Sequence, residues 1–184
     1  MPTTVNVPRR PQTRKSLSRD LASLGVTPGD TVLVHSSLSA LGWVCGGAQA
    51  VVQALLDVLG SEGTLVVPTQ TGDNTDPAQW RDPPVPEDWW PLIRAHTPGF
   101  DPRLTPSRSM GRIPEMVRTW PGAVRSPHPQ TSFAALGPRA RALLEHHPVD
   151  CRLGEDSPLA AMEKVGARVL LLGAGFDSCT AFHL

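Results

Sequence analysis

Hydrophobic residues fall along this chain in short blocks whose spacing changes from one block to the next. Between Ser16 and Gly25 they stand at positions 17, 21 and 24 and end at a glycine, which predicts a helix. Thr27-Pro28-Gly29-Asp30 reads as a turn. Thr31–Val34 is a β-branched apolar run, the pattern of a buried strand, and it leads into His35-Ser36-Ser37. After Gly46-Gly47, a stretch rich in aliphatic residues from Ala48 to Leu59 predicts a second helix, and Gly60–Gly63 breaks it. Thr64–Val67 is the next strand and ends in Pro68-Thr69-Gln70-Thr71. Strand, helix and strand in such close succession predict a parallel crossover. Further on, the pattern predicts a helix over Ile113–Trp120, with Pro114 tolerated in its first turn, and a strand over Thr131–Leu136. Helices over Pro138–His147 and Ser157–Val165 and a last strand over Ala167–Leu172 complete the set.

Two stretches carry no period. Residues 1–13 read as a lead-in. Residues 70–112 form a long excursion rich in proline, and its Trp80, Trp89, Trp90 and Phe100 argue that it is ordered. The whole is expected to be a single α/β domain over residues 1–184.

Composition narrows the function classes. Lys+Arg and Asp+Glu both number 17, so no overall positive charge is available for nucleic-acid binding. The 3 cysteines (45, 151 and 179) show no CxxC spacing, so neither a zinc site nor a disulfide framework is expected. No apolar run is long enough for a membrane span, and Arg9, Arg10, Arg14 and Lys15 are not followed by a signal-type apolar region. The expectation is a cytoplasmic protein without membrane, nucleic-acid or metal partners.

Chemistry collects at the strand ends. Ligands of open α/β sheets bind beyond the carboxyl ends of the strands. Three predicted strands run out into His35-Ser36-Ser37, Thr69-Gln70-Thr71 and Asp177-Ser178-Cys179-Thr180 with His183. If the strands are parallel, these loops share one rim; if not, each is an ordinary polar strand end. His183 is the leading candidate, because imidazole is the side chain best suited to proton transfer near neutral pH. The excursion is acidic over residues 73–88, with Asp73, Asp76, Asp82, Glu87 and Asp88 against Arg81, and residues 101–125 are basic. Two solvated loops, or a site joining a cationic to an anionic substrate, both fit that contrast. His146 and His147 are expected to end a helix, where imidazolium suits the dipole.

A set of ordered motifs is more specific. They are Val34-His35-Ser36-Ser37-Leu38, Pro68-Thr-Gln-Thr71, Asn74-Thr-Asp-Pro77 with Trp80, and Phe100-Asp-Pro102 with Thr105-Pro106. Met110-Gly111-Arg-Ile-Pro-Glu115, Arg125-Ser126-Pro-His128-Pro129, Ser132-Phe-Ala-Ala135, Gly154-Glu155, Ser157-Pro-Leu159 and Leu170-Leu-Leu-Gly173 with Thr180 and His183 follow. Together they resemble the aminoglycoside 3-N-acetyltransferase family. The resemblance implies a three-layer α/β/α fold around a mostly parallel or mixed sheet, distinct from the common acetyltransferase fold. It implies acetyl transfer from acetyl-CoA to an amine of an aminoglycoside antibiotic, and hence antibiotic resistance. By resemblance His183 is the active-site histidine, and His35, Ser36, Ser37, Leu38, Met110, Gly111 and Ser132 contact the coenzyme. Family chains normally continue well past this histidine, so the domain is expected to be C-terminally incomplete.

The reaction asks for further groups. A carboxylate behind the base would orient it, and Asp76, Glu155, Asp156 and Asp177 are the candidates. Backbone N–H groups near Ser36-Ser37, or the Thr180 hydroxyl, suit an oxyanion. Arg108 and Arg112 suit the coenzyme phosphates. His128 either lines the coenzyme channel or braces a turn. Cys179 near His183 allows a covalent route, although no GxSxG elbow is present. Two rival readings remain. One is a shortened family member that binds CoA or a partner without catalysis. The other is an S-adenosylmethionine-dependent methyltransferase, suggested by Leu171-Leu-Gly-Ala-Gly-Phe-Asp177, although too little chain follows to complete its βαβ unit. A homodimer is left open.

Overall fold

Thr31–Ser36 (β1) and Thr64–Pro68 (β2) lie side by side as parallel strands, joined by the helix Gly47–Leu59 (α2). The structure is a computed structural model that describes residues 10–81 and 83–184. Residues 1–9 of the lead-in, with Arg9, and Asp82 of the acidic stretch lie outside the described residues. Arg168–Leu172 (β5) pairs in parallel with the other edge of β1. Phe133–Leu136 (β4) runs antiparallel to β2, and a two-residue strand, Val124–Arg125 (β3), pairs antiparallel with β4. The order is β3-β4-β2-β1-β5, a mixed sheet.

Side-chain alternation splits this sheet into two cores. Val32, Val34, Leu65, Val67, Ala134 and Leu136 face one layer, which holds α2, Arg14–Ser23 (α1) and Arg112–Arg118 (α4). Leu33, Val66, Phe133 and Ala135 face the opposite layer of Ala140–Leu144 (α5) and Pro158–Lys164 (α6). β1 and β2 are therefore buried on both faces, as continuous apolar runs require. The expected three-layer α/β/α architecture is present.

Local chemistry sets the element ends. Thr13 caps α1 in a reciprocal box: its Oγ1 accepts from the Ser16 N–H and the Ser16 Oγ accepts from its N–H. This starts the helix two residues before the apolar period does. The Ser157 Oγ accepts from the Leu159 N–H and starts α6. The predicted helix over 138–147 condenses to α5, which ends at Leu144. Trp90–His96 (α3) forms within the excursion, where no period announced a helix. No helix among the described residues is long and apolar enough to cross a membrane.

Candidate functional site

The carboxyl ends of the three parallel strands open into one cavity of ≈ 510 Å³. β1 contributes His35 and Ser36, which are its last two residues, with Ser37 just beyond. The segment after β2 contributes Gln70, and the loop before α4 contributes Ser109 and Met110. Beyond β5 come Gly173, Ala174, Gly175, Asp177, Ser178, Cys179, Thr180 and His183. The shared rim expected from the sequence thus exists, but β4 does not join it because it runs the other way.

Close backbone approach shapes the wall. The Ser37 N–H donates to the Leu172 carbonyl at 3.0 Å, extending the β1–β5 pairing past the strands. Gly173 then turns at φ 72. A Cβ there would lie 2.8 Å from the Ala40 Cβ and 3.0 Å from the Ser37 carbonyl oxygen, so only glycine fits without a shift. The same bond occupies the Ser37 N–H, one of the donors expected to face an oxyanion.

Two polar atoms of the cavity residues are buried without a partner among the described residues: His35 Nε2 and Ser36 Oγ. Burial alone pushes the His35 imidazole below its usual pKa, so it stays neutral at neutral pH. Orphaned buried polar atoms are costly and mark a place where a ligand or water completes the bonding. Cys179 and Thr180 are buried in the opposite wall, whereas Asp177 and His183 are exposed. These groups place an exposed imidazole, a hydroxyl and a buried neutral imidazole around one space.

Other candidates lie elsewhere. Asp76 caps a 3-10 turn through the Ala78 N–H and is held by Arg94 in a two-pronged pair of 2.8 and 2.9 Å. Glu155 and Asp156 line a small separate cleft, where Asp156 meets His146 at 2.7 Å. None of these three carboxylates borders the cavity. Arg108 pairs with Asp73, and Arg112 and Gly111 border a shallow groove on the other side of Met110. Leu38 packs against the α1/α2 core. Ser132 is fully buried, donating to the Thr69 carbonyl and accepting from Arg125 Nε. His128 braces its turn: Nδ1 accepts from the N–H groups of Gln130 and Thr131, and Nε2 donates to the Val149 carbonyl.

His147 corrects the sequence expectation. It lies beyond the end of α5, 3% exposed, with Nδ1 on the Ser126 hydroxyl and Nε2 on the Arg152 carbonyl. Burial holds it at about 4, so it is a neutral core residue and no dipole cap. Arg125 was also undervalued. It sits over the Phe100 ring and donates to the Thr69, Pro102 and Thr105 carbonyls, tying the excursion to the sheet. Only the Arg-Ser-Pro-His run around it hinted at that role. Among the described residues no group of three or more His, Cys, Asp or Glu side chains is placed to hold a metal ion.

Comparison with known proteins adds a family. The family model described as "Aminoglycoside 3-N-acetyltransferase" matches residues 33–184. The chain is 50% identical over 175 residues to the SPbeta prophage-derived aminoglycoside N(3')-acetyltransferase-like protein YokD of Bacillus subtilis, covering 95% of this chain and 64% of that protein. It is 47% identical to aminoglycoside N(3)-acetyltransferase IX of Micromonospora chalcea, covering 94% of this chain and 61% of that protein. The chain therefore spans less than two thirds of the length of these relatives. The crystal structure of YokD superposes with a TM-score of 0.93, covering 95% of this chain and 70% of that one. A complex of AAC-IIIb with CoASH superposes with a TM-score of 0.83 at 37% identity, covering 95% of this chain and 64% of that one.

Proposed function

The chain belongs to the aminoglycoside 3-N-acetyltransferase family, and from that premise we propose that it carries out acetyl transfer from acetyl-CoA to an amine of an aminoglycoside. The observation that supports this reading is the cavity at the parallel strand ends, where His183 and Thr180 share a space with the orphaned His35 Nε2 and Ser36 Oγ. Those unpartnered atoms suit a polar acyl donor such as the thioester and amide groups of acetyl-CoA, and the CoASH-bound relative supports the same donor.

In this mechanism the donor supplies an activated acetyl group and the protein moves the proton. An aminoglycoside amine is largely ammonium near neutral pH. The His183 imidazole takes that proton and frees the lone pair. The amine nitrogen attacks the thioester carbonyl carbon, the N–C bond forms, the C–S bond breaks, and the sulfur takes up the second proton shed by the nitrogen and leaves as the CoA thiol. Charge gathering on the carbonyl oxygen is met by a hydroxyl, Thr180 or Ser36, in place of the Ser37 N–H that Leu172 already occupies. Asp177, which borders the same cavity, is the carboxylate best placed to support the imidazolium. Acetylation removes a positive charge from the antibiotic, which is the basis of resistance in this reading.

The test is thiol release from acetyl-CoA with a panel of aminoglycosides, comparing the chain with His183→Ala. A rate loss of roughly 10²–10⁴ is expected for the variant. Equal rates would remove His183 from the role of base. No thiol release with any amine would overturn the activity for this chain.

A further inference from the structure

A thiol forms part of the wall of the strand-end cavity. Cys179 is free and 7% exposed, and it borders the cavity together with Thr180 and His183. It stands between two 3-10 turns, Phe176–Ser178 and Thr180–His183. Its N–H donates to the Phe176 carbonyl at 3.1 Å, and its carbonyl accepts from the Phe182 N–H at 3.3 Å. The backbone is therefore held, and the sulfur is the group left to react. Since so little of Cys179 is exposed, a reagent reaches that sulfur from the cavity. Cys45 and Cys151 are half-buried and do not border this space.

A polar group in the same space independently calls for a ligand. His35 borders the cavity, is 3% exposed and keeps Nε2 without a partner among the described residues. A polar molecule that enters the space satisfies such an atom. At ≈ 510 Å³ the cavity falls in the size range of small-molecule sites. We infer that Cys179 is a modification site, at which a low-molecular-weight disulfide leaves half of itself as a mixed disulfide and closes the cavity. The step is thiol–disulfide exchange. The Cys179 thiol gives its proton to water or to the exposed His183 imidazole, and its sulfur attacks one sulfur of the disulfide. The new S–S bond forms, the old one breaks, and the departing sulfur takes up a proton and leaves as a thiol. Cys179 is oxidised and the departing half is reduced, so no other oxidant is needed. Two sources share this chemistry. One is a general disulfide such as glutathione disulfide; the other is the disulfide of CoA, whose thiol is the product of the acetyl transfer proposed above. Only the second source rests on that reading.

Timed incubation of the whole chain with glutathione disulfide or CoA disulfide, followed by peptide mass mapping, tests the site. Cys179 is expected to gain the mixed disulfide about tenfold faster than Cys45 and Cys151, because residence in the cavity raises the local concentration of the reagent. Exposure alone would give the opposite order. Preference for Cys179 with both reagents makes any small disulfide the modifier, and preference with one alone identifies that source; either result supports the site. Labelling of Cys45 or Cys151 ahead of Cys179 with both reagents overturns it. Once excess reagent is removed, the labelled chain should form N-acetylated aminoglycoside about tenfold more slowly or worse, since the reactants no longer reach their places, and dithiothreitol should restore the rate. Cys179→Ala, read against its own untreated rate and checked by a thermal melt, should lose nothing on treatment. A labelled Cys179 with an undiminished rate overturns the closure of the cavity. An untreated parent chain that acetylates no amine fails the acetyl-transfer reading alone, and the mapping still decides the site.

Discussion

The Ser126 hydroxyl and the His147 Nδ1 meet at 2.9 Å in the interior, where burial keeps the ring neutral. In the neutral ring the Nε2–H goes to the Arg152 carbonyl, so Nδ1 accepts from the Ser126 hydroxyl, whose oxygen accepts from the Phe133 N–H. His128 stacks 4.6 Å away, its Nδ1 likewise occupied by two N–H donors. Burial is the leading cause that holds His147 at about 4 and pushes His128 down as well.

The first prediction is an acid-sensitive fold. A histidine whose pKa is lower folded than unfolded binds more protons when unfolded, so stability rises with pH between the two values. The His147 contribution is present above about 6.5 and lost as pH falls toward about 4, on the order of 3 kcal/mol in all. Glu115 acts in a lower window. Burial opposes its ionisation, but the Arg118 guanidinium and Ser107 outweigh that and hold it at about 2. Its contribution is lost only as pH falls from about 4.5 toward 2. Urea unfolding at pH 7, 5.5 and 4.5 should show the loss, and His147→Gln should flatten the upper window. A pH-independent midpoint from 7 to 4.5 would contradict it.

A second prediction concerns Arg125. Desolvation lowers its pKa to about 10, with Arg118 adding repulsion, yet it stays charged because carbonyls and hydroxyls surround it. Arg125→Lys cannot reproduce the fork that reaches Thr69, Pro102 and Thr105 together. A stability loss of about 2 to 4 kcal/mol is expected, with early proteolysis inside the excursion. Unfolding curves and limited digestion measure the two. A parent-like midpoint would mean that the excursion is anchored by other contacts.

These two residues show where sequence reading stops. The β1–α2–β2 unit was legible because apolar runs and glycine breaks are local signals, and so was the strand-end clustering of His35, Ser36, Gln70 and His183. The antiparallel direction of β4 was not, because an apolar run such as Phe-Ala-Ala-Leu fixes burial and not polarity. Nor was α3, which begins at Trp90-Pro91 without an apolar period and packs against the 3-10 turns of the excursion. The Ser126–His147 and Arg125–Thr105 bonds span 21 and 20 positions, and no local pattern encodes partners that far apart. The Arg94 partner of Asp76, one of the carboxylates considered for the base, is equally out of reach of a local pattern, being 18 residues away.

The third prediction tests the cavity wall. Gly173→Ala must place a methyl against Ala40 and the Ser37 carbonyl while holding φ at 72. The strain costs about 1–2 kcal/mol and moves the turn that carries Asp177, Thr180 and His183. Acetyl transfer should fall at least tenfold, more than the modest drop in melting temperature would suggest, since a displacement of about 1 Å can cost 10²-fold. Gly99→Ala, with nothing within 4 Å of its new methyl, is the control and should be silent in both assays. Equal behaviour of the two variants would remove the close approach from any functional role.

The last prediction separates stability from function at His35. Its buried Nε2 lacks a partner among the described residues, and an unsatisfied buried polar atom costs about 1–3 kcal/mol. If the atom is kept for a ligand, replacing the ring by an apolar side chain should relieve that cost. His35→Leu is therefore expected to unfold at an equal or slightly higher denaturant midpoint than the parent. The same change removes a neutral donor-acceptor group from the cavity floor, so acetyl-CoA affinity or turnover should fall at least tenfold. His35→Gln, which keeps a donor and an acceptor, should recover part of the activity without the gain in stability. The opposite pattern, a destabilised His35→Leu with parent-like turnover, would make His35 a packing residue and leave the cavity's orphaned bonding capacity to Ser36 alone. Opposed changes in stability and activity are the signature of a group held at a folding cost for the sake of what binds beside it.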